Sequence, residues 1–257
     1  MNIIGIIPTR MQSSRLPAKP MKKIFKIPMI GHVYLRSKLS KILNDVYVAT
    51  CDTVIKDYIK SLDGKVIMTS KKNRRAVDRT EEALRKIEKV TKKNIDLIVM
   101  IQGDEPILMP QMIDQVVNVF RKNNNVNISN LYTELKNPKE IIDPNRVKVV
   151  LDDNNNAIYF SREKISTKKI RGKNIYYKQG NIFCFKKKAL DYFVNLKSSN
   201  LEKVESVDMN RLIEHRYKIR MVKTDFNTIN VDNYYDLKRA RKVMRNDKYH
   251  KLYNKNF

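Results

Sequence analysis

Cysteine is nearly absent from this chain of 257 residues. Cys51 and Cys184 are the two present, far apart and in no Cys-x-x-Cys pair, so a disulfide framework and a zinc site both lack support and buried reduced thiols are the expectation. No stretch of about 18 apolar residues occurs, which removes a membrane-spanning helix. The N-terminus, Met-Asn-Ile-Ile-Gly-Ile-Ile-Pro, lacks the basic region and small-residue cleavage site of a signal peptide, so the cytoplasm is the expected location. There is no Gly-x-x-x-x-Gly-Lys loop and no visible Ser-His-Asp or Cys-His set. Acidic residues are scarce: 27 Asp and Glu stand against 53 Lys and Arg, a net charge of +26. Such a field favours anionic partners. However, the cations are scattered among acids rather than gathered in one block, and Lys, Asn and Ile are abundant throughout, a pattern that AT-rich coding alone would give.

A hydrophobic fraction of 42% is enough for a sizeable core. Short β-branched runs alternate with amphipathic segments: strands at 3–7, 45–50, 65–68 and 96–101, and helices at 29–43, 54–62, 78–90 and 109–120. The alternation predicts βαβ units and an α/β fold with a mostly parallel sheet. After about residue 130 the pattern changes. Residues 147–151 and 157–160 read as a hairpin, 163–175 as a basic loop, 181–185 as a strand, 201–215 as one helix, 219–222 as a strand and 233–244 as the terminal helix. We expect one domain over 1–245, with an inserted lobe and return strands over about 131–200, and a flexible basic tail at 246–257.

Ligands of open α/β sheets bind beyond the carboxyl ends of the strands. The loop after the first strand carries Arg10, Arg15 and Lys19, with Ser13 and Ser14 as further donors, a set that could hold a triphosphate. Charge alone would equally fit a solvated basic loop. Gln102-Gly103-Asp104-Glu105-Pro106 follows the fourth strand and places Asp104 where a carboxylate could hold Mg2+ against phosphate oxygens, or where an ordinary Asp turn would stand. Asp232, in Val231-Asp232-Asn233, is either a second Mg2+ ligand or the N-cap of the last helix. His32, His215 and His250 lie outside these segments and read as surface or packing residues.

Several long segments resemble the 3-deoxy-manno-octulosonate (KDO) cytidylyltransferases, the CMP-KDO synthetases. They are the loop Pro8 to Pro20, Gln102 to Pro106, Asp143 to Asp152, Tyr159-Phe160-Ser161-Arg162, Leu201 to Ser206, and Val231-Asp232-Asn233 before a helix, in order across residues 3–244. The resemblance implies a single Rossmann-like nucleotidyltransferase domain with an inserted β-hairpin dimerisation lobe, acting as a homodimer. It implies Mg2+-dependent transfer of CMP from CTP to an acidic 2-keto-3-deoxy sugar, with release of pyrophosphate, for cell-surface polysaccharide such as lipopolysaccharide. By the same resemblance Arg10, Ser13, Ser14, Arg15, Lys19, Arg79 and Gln102 bind nucleotide; Asp104 and Asp232 bind metal; Arg162, Gln179, Glu205 and Asp208 bind sugar. No membrane partner is implied, and nucleic acid is disfavoured because paired carboxylates repel a phosphate backbone.

Two segments depart from the family. Its cytosine-holding His-x-Ser-Gly-Thr-(Asp/Glu)-Arg stands here as residues 73–79, of which only Asp78 and Arg79 match. Its His-Leu-Gly-x-Tyr-Gly-Tyr strand is replaced by 179–185, with Gln179 at the His and a run somewhat like that of the acylneuraminate cytidylyltransferases. The departures leave room for another base or sugar, and point equally to a sugar acid carrying an amino or acylamino substituent and to ordinary KDO, with Gln179 simply replacing the His in hydrogen bonding. A non-catalytic basic nucleic-acid-binding protein on the same fold is the remote alternative.

Overall fold

The structure, a computed structural model, describes residues 1–253. Contacts divide the chain into two compact units: residues 1–114 with 228–257, and residues 115–227.

In the first unit, β1 (Ile3–Pro8), β4 (Asp45–Thr50), β5 (Lys65–Met68) and β6 (Leu97–Ile101) form a parallel array in the order β6-β1-β4-β5. Every residue of β1 is buried, as a strand covered on both faces requires, and the run is correspondingly apolar. Helices α1 (Met29–Ser37), α2 (Thr53–Lys60) and α3 (Ala76–Thr91) are the crossovers. A two-residue ribbon, β2 (Lys23–Ile24) with β3 (Ile27–Pro28), precedes α1. The boundary falls within α4 (Pro110–Lys122). The returning chain adds α9 (Tyr234–Met244) and α10 (Lys248–Tyr253). Leu16, Ile24, Met29, Val231, Leu237 and Met244 pack into one apolar cluster, which pins the loop after β1 and the segment before α9 to a common base.

α10 corrects the expectation of a frayed tail over 246–253. Arg36, wholly buried, bonds the Asp247 carboxylate, the Tyr253 hydroxyl and the Leu108 carbonyl. His32 is buried between the Tyr253 hydroxyl (2.8 Å) and the Ile24 carbonyl (2.9 Å). His32 and His250 are therefore packing residues, as expected, whereas His215 is exposed. The expected flexibility of 254–257 lies outside the described residues.

The second unit is built on β7 (Ile128–Leu135), which pairs parallel with β12 (Arg220–Lys223) and antiparallel with β11 (Lys173–Lys186). The hairpin β8 (Lys148–Leu151) and β9 (Ala157–Ser161) appears where expected, and β8 joins β11 at Lys148↔Lys178. Residues 163–175, expected as a loop, contain the hairpin of β10 (Lys168–Ile170) with β11, turning at Arg171 and Gly172, both at positive φ. Short helices α5 (Pro138–Ile141), α6 (Lys187–Asn195), α7 (Asn200–Glu205) and α8 (Met209–Glu214) complete the unit. The single helix expected over 201–215 is broken at Ser206, which adopts φ 52°. Cys184 is buried and its thiol pKa raised by that burial, while Cys51 is half-buried; both are free. Among the described residues, no helix is long and apolar enough to cross a membrane.

Candidate active site

The first unit carries a cleft of about 750 Å³ over the carboxyl ends of its strands. Arg10, Ser13, Ser14, Arg15, Lys19, Arg79, Gln102 and Asp104, all assigned from sequence to the nucleotide half, line it. Two anchors fix its floor. Thr9 N donates to the Ala49 carbonyl at 2.9 Å, and Val231 N donates to the Asp104 carbonyl at 2.9 Å. A Cβ on Gly103 would meet Thr9 at 3.3 Å, so this glycine lets two strand-end loops approach each other.

Lys19 draws the two aspartates together. Its Nζ donates to Asp104 Oδ2 at 2.8 Å and to Asp232 Oδ1 at 3.3 Å, and Arg15 Nη2 also donates to Asp232 Oδ1 at 2.8 Å. Burial would lower the Lys19 pKa, but the two carboxylates overcome this and raise it, so the ammonium stays charged. Asp232 is not the cap of α9; Asn233 is, accepting from Asp236 N at 2.9 Å. Asp232 is oriented by Asn230, whose amide donates to Oδ2 at 2.8 Å. Asp104 Oδ1 is buried and without a partner. Two converging carboxylates and one unsatisfied carboxylate oxygen fit a Mg2+ that takes its remaining ligands from phosphate and water. Among the described residues no group of three or more metal-ligating side chains gathers.

Arg79 lines the cleft and also braces its wall. Its buried guanidinium donates to Thr69 Oγ1, the Ser70 carbonyl and the Asn73 carbonyl. Glu82 accepts from Ser70 N (3.0 Å) and the Asn73 amide, and its pKa is lowered despite burial by these bonds and by Lys86. Together they lock the segment 69–75, which brings Lys71, Arg74 and Arg75 to the cleft. Sequence reasoning gave these three cations no role, although Arg74 and Arg75 stand in the very segment, 73–79, that departs from the family.

The second unit holds the residues assigned to the sugar. Arg162 and Glu205 are brought together, but into a self-satisfied knot. Glu205 accepts from the Tyr159 and Ser161 hydroxyls and from Arg162 N (2.7 Å). These bonds hold its pKa low against the opposing effect of burial. The Arg162 guanidinium donates to the carbonyls of Glu205 (2.7 Å), Ser206 (3.3 Å) and Pro144 (2.8 Å). The first two are orphan carbonyls at the broken end of α7, so the break at Ser206 creates the acceptors that seat Arg162. Lys148, wholly buried, donates to the carbonyls of Asp143 (3.0 Å) and Arg162, and burial lowers its pKa. Lys148, Tyr159 and Ser161 are members of this site that the sequence analysis quoted without assigning a role.

Gln179 lies on β11 opposite Tyr132, immediately before a bulge spanning Gln179 to Phe183. Asn130 of β7 donates to the Gly180 and Ile182 carbonyls, both at 2.9 Å, and so satisfies the bulge. Bulges re-aim side chains next to functional sites. Gln179 Nε2 is buried without a partner, an amide donor with nothing to donate to. Asp208 opens α8, where Arg211 N donates to its carbonyl at 3.1 Å.

Residues 4–253 match the sequence model of the Cytidylyltransferase family. The chain belongs to the cytidylyltransferase family. This cytidylyltransferase is 37% identical over 239 residues to an 8-amino-3,8-dideoxy-manno-octulosonate cytidylyltransferase of Shewanella pealeana, covering 93% of this chain and 96% of that one. It is also 37% identical over 249 residues to a 3-deoxy-manno-octulosonate cytidylyltransferase of Thermodesulfovibrio yellowstonii, covering 94% and 97%. Its fold matches a CMP:2-keto-3-deoxy-manno-octonic acid synthetase complexed with CTP at TM-score 0.86 and 30% identity, covering 95% of this chain and 99% of that one. The expected family, α/β fold and nucleotidyltransferase class therefore hold.

Proposed function

We propose that this cytidylyltransferase transfers CMP from CTP to an acidic 2-keto-3-deoxy octulosonate, with 8-amino-3,8-dideoxy-manno-octulosonate preferred over KDO, and releases pyrophosphate. The observation that carries the reading is the Lys19–Asp104–Asp232 constellation at the strand ends of a cationic cleft. The sugar's anomeric hydroxyl attacks the α-phosphorus; the new O–P bond forms as the bond to the bridging oxygen breaks. Pyrophosphate leaves with the electron pair, and the hydroxyl proton passes to solvent. The protein acts chiefly by positioning and charge neutralisation. Asp104 and Asp232 are the residues that would hold Mg2+, which when bound neutralises phosphate charge and acidifies a hydroxyl. Arg10, Arg15 and Lys19 offset charge on the phosphates, while Ser13, Ser14 and Gln102 supply neutral donors.

The amino-sugar preference is supported by Gln179. Its amide can donate and accept but, unlike His, does not become cationic near neutral pH, and so does not repel an ammonium substituent. The Shewanella pealeana relative, an 8-amino-3,8-dideoxy-manno-octulosonate cytidylyltransferase, agrees with that choice of sugar. Product lipopolysaccharide precursors, a cytoplasmic location and a homodimer formed through the 131–200 lobe belong to the same reading. The experiment is pyrophosphate release with four nucleoside triphosphates against a panel of sugar acids, with and without Mg2+. CTP with an octulosonate should be the productive pair; turnover with none of the sugar acids defeats the reading.

A further inference from the structure

Neither Asp104 nor Asp232 stands on a helix or a strand. Asp104 lies in the turn after β6, and residues 228–233, which carry Asp232, run without regular structure into α9. The separation of the two carboxylates is therefore set by the ties between these segments, not by a hydrogen-bonded ladder. Lys19 is one such tie, but it uses Asp104 Oδ2 and Asp232 Oδ1 themselves. Once those oxygens are given to a metal ion, the ammonium can no longer join them, and the spacing must be kept by bonds that do not use the carboxylates. Val231 N, donating to the Asp104 carbonyl at 2.9 Å, and the Thr228 hydroxyl, donating to Glu105 Oε1, are bonds of that kind. The first alone is a pivot about which the segment could swing; the second, at Thr228, fixes its angle. Ile107 packs with Ile229 and Val231 in one apolar cluster, but apolar contact is non-directional and sets no angle. Glu105 is buried, at 2% exposure, and does not line the cleft, so it does not itself meet the nucleotide. A carboxylate is costly to bury, and what it supplies in return is an oriented acceptor.

We propose that Glu105, acting through Thr228, is a positioning residue that holds Asp232 at the separation from Asp104 that one Mg2+ requires. This rests on the assignment of both aspartates to the metal, but binding of the ion can be measured without nucleotide or turnover. Mg2+ demands near-octahedral geometry at about 2.0–2.1 Å, whereas Ca2+ accepts longer and less regular bonds. A pair of carboxylates whose spacing is loosened therefore loses Mg2+ before it loses Ca2+. That selectivity separates positioning of the aspartates from a general weakening of the fold.

Calorimetry of Mg2+ and of Ca2+ on the full chain, without nucleotide, supplies the test. Thr228→Val keeps the side-chain shape and removes the donor, and should weaken Mg2+ binding by roughly tenfold while changing Ca2+ binding less. Thr228→Ser should restore Mg2+ affinity, and Glu105→Gln, which retains an acceptor oxygen, should stay close to wild type. In the forward assay Thr228→Val should show a fall in kcat at limiting Mg2+ that recovers at high Mg2+, with the KM for sugar unchanged. Ile59→Val, in the buried face of α2, is the control: it lowers the urea midpoint and should leave the affinity for both ions intact. Unchanged Mg2+ affinity in Thr228→Val overturns the inference. So do equal losses of Mg2+ and Ca2+, or a loss of Mg2+ in Ile59→Val as large as that in Thr228→Val, since the bond would then serve only the fold. A wild type that binds Mg2+ no more tightly than Asp104→Asn defeats the metal assignment itself, and the inference with it.

Discussion

Arg162 and Glu205 grip each other through two bonds of equal length: Arg162 N to Glu205 Oε2 and Arg162 Nε to the Glu205 carbonyl, both at 2.7 Å. Side chain answers backbone in both directions, so neither residue can move alone. Glu205→Ala would strand the Tyr159 and Ser161 hydroxyls and Arg162 N, and should destabilise the protein by on the order of 2–4 kcal/mol, read as a lower urea midpoint. Glu205→Gln keeps the shape and one acceptor. It should fold, and raise the KM for sugar more than it lowers kcat. A sugar KM that stays at the wild-type value in Glu205→Gln would detach this knot from the substrate.

Asp104→Asn and Asp232→Asn should each reduce turnover by on the order of a hundredfold or more while leaving the fold intact. The motive is the buried, unpartnered Asp104 Oδ1, on a carboxylate that shares Lys19 with Asp232. The activity should also lose its normal Mg2+ titration. Wild-type rates in both variants would remove the metal assignment.

Lys19 stands where a cation is held by both aspartates, so Lys19→Ala has two opposite consequences. The apparent KM for nucleotide rises and kcat falls, because a phosphate contact is lost. Binding of Mg2+ to the enzyme without nucleotide becomes tighter, because an ammonium no longer competes for Asp104 and Asp232. Arg15→Ala should show the first effect and a weaker form of the second. Titration of Mg2+ or Mn2+ by calorimetry on the three proteins gives the order.

Gln179→His should shift the ratio of kcat/KM for KDO over the 8-amino sugar toward KDO. An imidazole that gains a proton repels the amino group, and the amide donor now buried without a partner is lost. An unchanged ratio, or a wild type that already prefers KDO, defeats this assignment.

The His32 pKa is lowered to about 4, mainly by burial, with the charges of His250 and Arg36 adding to the effect against the bond to the Ile24 carbonyl. The unfolded chain binds this proton more readily than the native one. Native stability is therefore full above about pH 6.5, the unfolded value, and falls as pH drops toward 4. Asp247 and the Tyr253 hydroxyl face the same cluster, and α10 is the element this loss loosens. Tm measured between pH 7.5 and 4.5 should fall less steeply in His32→Gln than in the wild type.

The first unit was legible because its strands are pure apolar runs, and Ile3–Pro8 and Leu97–Ile101 stand within a residue of their expected ends. The second unit was less so, for identifiable reasons. β7 was missed because Ser129 and Asn130 are buried inside it, and Asn130 is there to serve a bulge on a neighbouring strand that no local period encodes. β11 runs to 14 residues, although Lys173 to Lys178 is too polar to announce a strand. The break at Ser206 lies inside an unbroken amphipathic pattern and is stabilised by Arg162, 44 positions away. In the site, residue types and positions at strand ends indicated Lys19, Asp104 and Asp232. That Lys19 joins the aspartates, and that Arg79 serves a loop, depended on side-chain directions.

The first unit is sewn from two separate stretches of the chain, residues 1–114 and those from 228 onward. Asp104 emerges during synthesis well before Asp232, and all of residues 115–227 must be made in between. A ribosome that stops anywhere before residue 231 releases a polypeptide with Lys19 facing a single aspartate and without the strand-end segment that donates to the Asp104 carbonyl. Such a chain lacks both the second carboxylate on Lys19 and the anchor of the Asp104 turn.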